Sequence, residues 1–220
     1  GGRCRGPAAL PRMLELVPAG VARAPLSCPP PSLVSRYSIH DFPKPIGMPP
    51  GSVDAITELP AERSYTVTAP VSVAPGVWLT GPVPRRTTCE DTGGPFFLDA
   101  AGSCPDDIMD DMSLWFEADE GLVVCLGCCH SGIINTLRYI SELMPGRVIS
   151  TVIGGMHLLN ASTARYVFTA NALKGYPLRR LIPCHCTGDG AYAHLAAELG
   201  DVVQPGYVGM KQIFRTTTNL

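Results

Sequence analysis

One stretch, residues 121–188, constrains the fold of this chain more than any other, because it repeats one pattern three times. Each copy has an apolar, β-branched run, a turn that carries a histidine, and a helix-like segment. The runs LVVCLGCCH, RVISTVIGGMH and LRRLIPCH end at His130, His157 and His185, at intervals of 27 and 28 residues. Strands that alternate with helices at this period predict an α/β sheet. Since ligands collect beyond the carboxyl ends of such strands, we expect the three histidines to converge on a metal ion.

A helix is predicted after each of these histidines. Ser131 is the expected N-cap of the first helix, whose apolar residues recur at helical spacing as far as Met144. The second helix is expected to begin at Ser162 or Thr163 and to continue through residue 173. The third is expected over residues 190–199, where Gly200 follows it.

The rest of the chain predicts less regular structure. A short helix is expected over residues 7–17, and strands are expected over 64–70, 112–117, 122–126 and 207–214. The 72–83 segment is also strand-like, with a turn at residues 74–76. Prolines and glycines are frequent over 41–60, and the 85–111 segment is rich in Thr, Gly, Pro and Asp, so both are predicted to be long loops. The proline-rich 25–60 segment is either a substrate wall or a partner surface. A chain of 220 residues can bury one core, and we expect a single domain over 1–220.

Composition excludes several partners. A net charge of −2 gives no electrostatic basis for binding nucleic acid or an anionic membrane, so a small-molecule partner is expected. No apolar run approaches the roughly 18 residues of a membrane-spanning helix. The nine cysteines are odd in number and several crowd together, which is unlike a secreted disulfide framework and favours a reducing cytoplasm. The sequence leaves the oligomeric state open.

The thiols compete with the histidines as metal ligands. A sulfur-rich zinc or iron–sulfur site could be built from Cys125, Cys128, Cys129, Cys184 and Cys186. Cys125 falls within a predicted strand, where a small buried cysteine is ordinary. We favour the histidines because they occupy equivalent places in three successive units.

Other candidate ligands have simpler explanations. Four aspartates are read as a solvated acidic turn, and two further histidines as solvated or packed side chains. These residues are Asp106, Asp107, Asp110 and Asp111, and His40 and His194.

The segments LVVCLGCCHSGIINTL, TVIGGMHLL and IPCHCTG together resemble the metallo-β-lactamase superfamily. More narrowly, they resemble its dihydropterin-ribofuranosylaminobenzene phosphate synthase-like branch, whose pattern is GCSH, GGFH and PCHCTG. Upstream, APGVWLTGPVPR resembles that branch's TGxIPR segment, and PAALPRMLEL resembles the helix after its first metal motif. The resemblance covers nearly the whole chain and is strongest after Gly121. Cys129 stands where the branch usually has serine.

The resemblance implies an αββα four-layer sandwich with metal at one edge. His130 matches a ligand of the first metal and His185 the last ligand, which binds the second. His157 lies where the superfamily has a bridging or second-metal ligand, often an aspartate. The implied cofactor is zinc, manganese or iron, as one or two ions. The implied reaction is attack by metal-bound hydroxide on an ester, phosphoester or related bond of an unidentified substrate.

One departure from the family is an absence. The HxHxDH motif supplies most ligands of the first metal and the aspartate that orients the attacking water, yet no HxH or DH pair occurs among the 220 residues. That motif normally precedes a Gly-Gly pair, and Gly1 and Gly2 open this chain, so we expect it to start just downstream, without the first strands. We therefore expect weak or no hydrolase activity from the chain as given. The alternative is a non-catalytic binding or assembly module that has lost its first metal motif.

Overall fold

The computed structural model describes residues 26–28 and 30–216, which divide into two compact units. Unit 1 contains the described residues up to Thr68 together with Pro95–Asp110, and unit 2 contains Ala69–Gly94 and the residues from Asp111 onwards. The helix expected over 7–17 lies outside the described residues. The expectation of a single domain stays a prediction.

The strands are β1 (Leu26–Cys28), β2 (Tyr37–Ile39), β3 (Pro43–Pro45), β4 (Ser64–Thr66), β5 (Val71–Ala74), β6 (Val77–Leu79), β7 (Phe96–Phe97), β8 (Ser113–Ala118), β9 (Gly121–Leu126), β10 (Ile149–Gly155) and β11 (Arg180–Cys184). The α-helices are α1 (Pro50–Thr57), α2 (Ile133–Leu143), α3 (Thr163–Leu173) and α4 (Asp189–Leu199). The chain is therefore of the mixed α/β class, as predicted. None of the described helices is long and apolar enough to cross a membrane.

Unit 1 contains two small sheets and one helix. Strand β1 pairs in parallel with β4, and β2 lies between β3 and β7 in antiparallel register. The prediction of a loop over 41–60 was wrong where β3 and α1 form. Pro50 begins α1, where a missing N–H costs nothing and the fixed φ suits a helix, so a proline taken as a breaker is here a helix start. The 85–111 segment contains β7 and is otherwise irregular, as predicted.

The acidic turn is not solvated, contrary to the sequence-based interpretation. Asp106 and Asp110 both accept hydrogen bonds from Arg36, at 2.6 Å to Nε and 2.7 Å to Nη1 respectively. Asp111, in unit 2, is also buried and accepts from the backbone N–H of Ser131 at 2.9 Å. Of the four aspartates, Asp107 alone is exposed. These carboxylates therefore accept hydrogen bonds from residues that are distant in sequence. No local sequence pattern indicates such partners.

Unit 2 is built on a six-stranded mixed sheet. Its strand order is β11-β10-β9-β8-β6-β5, with β9, β10 and β11 parallel and the other pairs antiparallel. The predicted pairing of 112–117 with 122–126 is confirmed by β8 and β9. Trp78 and Trp115 stack on neighbouring strands with ring centroids 5.9 Å apart.

The core of unit 2 lies between this sheet and its helices. Helix α2 buries an apolar face against it, as predicted, through Ile133, Ile134, Leu137 and Ile140. Each such side chain contributes about 1.5–3 kcal/mol when it leaves water. Helices α3 and α4 add Ala170, Leu173, Ala191 and Leu195 to the same cluster. Burial of this face fixes the turns that precede the helices.

The start of α2 differs from the prediction. Gly132, not Ser131, is the N-cap, and the carboxylate of Glu90 accepts from the N–H groups of Ile134 at 2.9 Å and Asn135 at 2.8 Å. Gly132 has φ of +90°, and a Cβ there would lie 2.3 Å from the Glu90 carboxyl carbon. A carboxylate from a distant segment thus takes the place of a local cap.

The strand predicted over 207–214 is also absent from the structure. The chain meets the sheet earlier, where Gln204 donates to the carbonyl of Leu181 at 2.9 Å and Gly206 to that of Pro183 at 3.1 Å. Further on, the ring of Phe214 packs edge-to-face on Phe116, with centroids 5.4 Å apart. Phe214 therefore packs on the sheet without extending it, whereas Tyr207, Val208 and Ile213 are exposed.

Candidate metal centre

The three histidine turns follow three adjacent parallel strands. Strands β9, β10 and β11 end at one edge of the sheet, and His130, His157 and His185 lie in the turns directly after them. The rings of His130 and His157 have centroids 4.0 Å apart and are tilted by 46°. The sheet topology thus brings the predicted residues to one edge.

The potential ligand atoms form two groups, which we call the first group (Cys128, His130 and His157) and the second group (Cys128, His185 and Cys186). Within each group, the nitrogen and sulfur atoms all lie within 4.8 Å of one another. His130 and His157 therefore belong to the same group, whereas His185 belongs to the other. Cys128 is common to both groups. This donor chemistry suits a transition-metal ion such as zinc.

Backbone strain is concentrated in these turns. Cys129, His157 and His185 have φ values of +60°, +44° and +53°, in the left-handed region. A residue with a Cβ pays about 1–2 kcal/mol to adopt that conformation. Strain of this kind persists where the surrounding structure enforces it, and it is frequent at functional sites.

The glycine pair that ends β10 explains how the turns approach one another. A Cβ on Gly154 would lie 2.3 Å from the carbonyl oxygen of Leu126, at the end of β9. A Cβ on Gly155 would lie 2.7 Å from both the Sγ of Cys186 and the carbonyl oxygen of Gly127. Any side chain at these positions would separate the strand ends.

A loop over residues 90–94 orients the first group. The Nδ1 of His130 lies 2.8 Å from the carbonyl oxygen of Thr92. Because a carbonyl can only accept, Nδ1 carries the proton and the lone pair is on Nε2, where a metal ion could bind. His157 packs against the same loop: a Cβ on Gly93 would lie 2.0 Å from its Cδ2. The loop therefore constrains both imidazoles.

Two arginines hold this arrangement in place. Arg85 donates from Nη1 to the carbonyl oxygen of His130 at 2.6 Å. Arg165, whose side chain is buried, forms an ion pair with Asp91 in the loop. Sequence analysis did not identify these roles. The available signals were the PR of LTGPVPR and the paired glycines of residues 93–94.

The thiols differ in their electrostatics. The pKa of Cys186 is lowered, chiefly by a hydrogen bond with Cys128, whereas the same interaction raises the pKa of Cys128. Negative charge on this pair is therefore favoured at Cys186. Burial raises the pKa of Cys125 and, much further, that of Cys129, so those two stay protonated.

The remaining sequence candidates do not join either group. Among the competing thiols, Cys128 and Cys186 lie with the histidines, whereas Cys125, Cys129 and Cys184 belong to neither group. His40 is exposed in unit 1, and His194 lies on α4 with its ring 5.8 Å from that of Tyr166.

Comparison with known proteins identifies two curated relatives. A 7,8-dihydropterin-6-methyl-4-(β-D-ribofuranosyl)-aminobenzene-5′-phosphate synthase of Methanocaldococcus jannaschii is 28% identical over 123 residues, which cover 54% of this chain and 42% of that protein. An uncharacterized protein of the same organism is 35% identical over 104 residues, which cover 47% of this chain and 37% of the relative. The chain thus spans less than half the length of the curated relatives it matches. No family model matches the chain.

A solved structure matches more of the chain. The crystal structure of a metal-dependent hydrolase of the β-lactamase superfamily superposes with a TM-score of 0.72 and 25% identity, covering 86% of this chain and 70% of that one. This agrees with the αββα sandwich that the resemblance to the superfamily implies. In fold and sequence the chain thus resembles the metallo-β-lactamase superfamily, and the curated synthase supports the resemblance to its dihydropterin-ribofuranosylaminobenzene phosphate synthase-like branch.

Proposed function

We propose that this chain is part of a metal-dependent hydrolase of the metallo-β-lactamase fold that acts on a small molecule. The observation that supports this most is the position of His130, His157 and His185 after three adjacent parallel strands, two of them in strained backbone. The ions proposed are zinc, manganese or iron, one or two per chain, and the proposed location is the cytoplasm. The solved structure that it matches is described as metal-dependent.

In this proposal, the histidines of the chain bind the metal ion, and neighbouring residues orient their rings. His130 offers Nε2 because the Thr92 carbonyl accepts the proton at Nδ1, and the Cδ2 edge of the His157 ring packs closely against Gly93. A bound divalent ion would supply Lewis acidity and would lower the pKa of water from about 15.7 towards about 7. The proposed bond is an ester, phosphoester or related bond. The fold itself does not select a substrate, and the curated relative is named as a synthase.

A second candidate is a non-catalytic binding or assembly module of the same fold. One observation favours it: both donor groups consist of cysteine and histidine without a carboxylate. A site without an acidic side chain lacks an evident group to orient a water molecule. On the hydrolase proposal, we expect this chain alone to turn over substrate slowly.

Metal content tests the proposal. The purified chain is exposed to zinc, manganese and iron, loosely bound ions are removed, and metal per chain is measured by plasma mass spectrometry. We expect about one ion or more per chain, lost in His130→Ala and His185→Ala. His40→Ala is the matched control, because this histidine is exposed and in neither donor group. A folded chain without metal would contradict the proposal.

Turnover separates the two candidates. A phosphodiester or lactone hydrolysed at a metal-dependent rate that His185→Ala abolishes would support the hydrolase. Without turnover, an in-frame HxHxDH motif in the codons upstream of Gly1 would support the hydrolase, and a start codon near Gly1 would support the module.

A further inference from the structure

We propose that Cys128 and Cys186 are themselves metal ligands, which makes the centre a mixed nitrogen–sulfur site selective for thiophilic ions such as Zn²⁺ and Co²⁺. This inference deepens the proposed function and depends on it. The histidines alone would accept zinc, manganese or iron, whereas sulfur donors would narrow that choice.

The position of Cys128 carries the inference. Its Sγ belongs to both donor groups, so it lies within 4.8 Å of the ligand nitrogens of His130 and His157 and also of the donor atoms of His185 and Cys186. A tetrahedral zinc ion with bonds of about 2.0–2.3 Å holds its ligand atoms about 3.5 Å apart. Each group can therefore close around an ion through side-chain adjustments of about 1 Å.

Cys186 is fixed in place by its neighbours. Its Sγ lies 3.5 Å from the carbonyl oxygen of Cys128, and it occupies the space that a Cβ on Gly155 would fill. The sulfur is therefore packed over the end of β10, beside the histidine turns. A β-carbon at position 155 would push it away, so the glycine admits the thiol to the centre.

The donor set determines which ions are preferred. Thiolates are soft ligands that favour zinc and similar ions, whereas manganese and magnesium prefer carboxylate, carbonyl and water oxygens. Each group contains at least one sulfur and one imidazole nitrogen, and neither contains a carboxylate. Zinc should therefore outcompete manganese at this centre.

Other thiols of the chain supply controls. Cys125 lies three residues before Cys128, is half-buried in β9, and belongs to neither group. Cys89 and Cys104 are exposed and could bind metal adventitiously. A sulfur-to-metal signal must therefore be assigned by substitution.

Cobalt absorption spectroscopy provides the test. The purified chain is titrated with Co²⁺, whose visible bands report any tetrahedral site and whose near-ultraviolet charge-transfer band reports thiolate ligation. We expect this band in the unmodified chain and in Cys125→Ser, at about half intensity in Cys128→Ser and in Cys186→Ser, and none in the double variant. Zn²⁺ affinity should fall at least about tenfold in either single variant, since even outer partners of a metal ligand contribute about that much.

Other outcomes would overturn the inference. Visible cobalt bands without a charge-transfer band would mean that the histidines bind metal alone, which would leave the proposed function intact. A charge-transfer band that persists in the double variant would place cobalt on other thiols. A folded chain, confirmed by circular dichroism, that binds no cobalt would contradict the proposed function as well.

Discussion

Two clusters of potential metal ligands in this chain are satisfied in different ways. In unit 1, the carboxylates of Asp106 and Asp110 both bind the guanidinium of Arg36, which is itself largely buried. In unit 2, the potential ligand atoms of the candidate metal centre lie within 4.8 Å of one another in each group, and Arg85 donates to the backbone carbonyl of His130. The negative charge of the first cluster is thus already balanced by Arg36, a residue of the same chain.

The two clusters differ in where their charge balance comes from. Acidic residues and histidines are both metal ligands in principle, but a buried carboxylate pair needs a positive charge from some source. Arg36 lies 70 residues before Asp106, so no local pattern reveals that the charge is already supplied. The histidine turns, in contrast, are linked by strand pairing that the sequence does indicate.

The largest effect is expected from removing the cation of unit 1. Arg36→Ala leaves Asp106 and Asp110 as buried, uncompensated carboxylates, and breaking a buried ion pair costs about 3–5 kcal/mol. Trp78 and Trp115 both lie in unit 2, so tryptophan fluorescence would not report unit 1 directly. Amide hydrogen exchange of peptides covering 30–66 and 95–110 should therefore be measured. Protection there should fall by roughly two to four powers of ten.

The control for this prediction is an exposed ion pair. Arg86 and Glu142 form one with side chains 57% and 52% exposed, so Arg86→Ala should cost about 0–1 kcal/mol. Equal losses in the two variants would show that burial does not distinguish the unit 1 cluster.

A smaller effect is expected from disturbing the loop that orients the histidines. In Gly93→Ala, the new Cβ would overlap the His157 ring and the residue would hold a φ of +83°. The ring must move, so we expect metal affinity to fall about 10–100-fold, as for other partners that orient metal ligands. Competition with a chelating indicator dye measures this change.

Gly127→Ala is the matched control. Gly127 lies in the turn that carries His130, and no atom lies within 4 Å of the position that its Cβ would take. Its metal affinity should stay close to that of the unmodified chain. If Gly93→Ala bound metal equally well, the 90–94 loop would have no part in orienting the centre.

Much of unit 2 was predictable because its order is local. Strands β8 to β11 and helices α3 and α4 follow apolar patterns and turn residues close to their observed bounds. The failures share one physical cause. Pro50 begins a helix, and the cap of α2 comes from Glu90. Residues 203–206 meet the sheet, whereas a strand was expected later in the chain. Each of these features depends on packing or hydrogen bonds that sequence spacing does not encode.

The candidate metal centre was predictable in outline and not in detail. Equivalent positions after three strands identified His130, His157 and His185, because parallel strands end at one edge of a sheet. The inclusion of Cys128 and Cys186 depends on how the turns fold back across Gly155, and the role of Thr92 depends on a loop from elsewhere in the chain. Such contacts require three-dimensional placement.

The smallest effect on stability is expected at Glu90, a buried carboxylate whose hydrogen-bond donors are backbone N–H groups and not an arginine. Glu90 is 7% exposed and accepts two backbone N–H groups of α2, and burial raises its pKa despite those hydrogen bonds. A raised pKa in the folded state means that the folded chain holds this proton more tightly than the unfolded chain. The associated stability is fully present below the unfolded pKa and is lost as pH rises through the folded value.

The difference in unfolding free energy between the unmodified chain and Glu90→Gln should therefore shift in favour of the unmodified chain as pH falls from about 7 towards the ordinary carboxyl pKa of about 4.3. Urea unfolding followed by tryptophan fluorescence suits this test, since Glu90 and both tryptophans lie in unit 2. All other titrating groups are common to the two chains and cancel. A shift of opposite sign would mean that the N-terminus of α2 stabilises the charged carboxylate more than burial penalises it, so that the helix end replaces the arginine that Asp106 and Asp110 require.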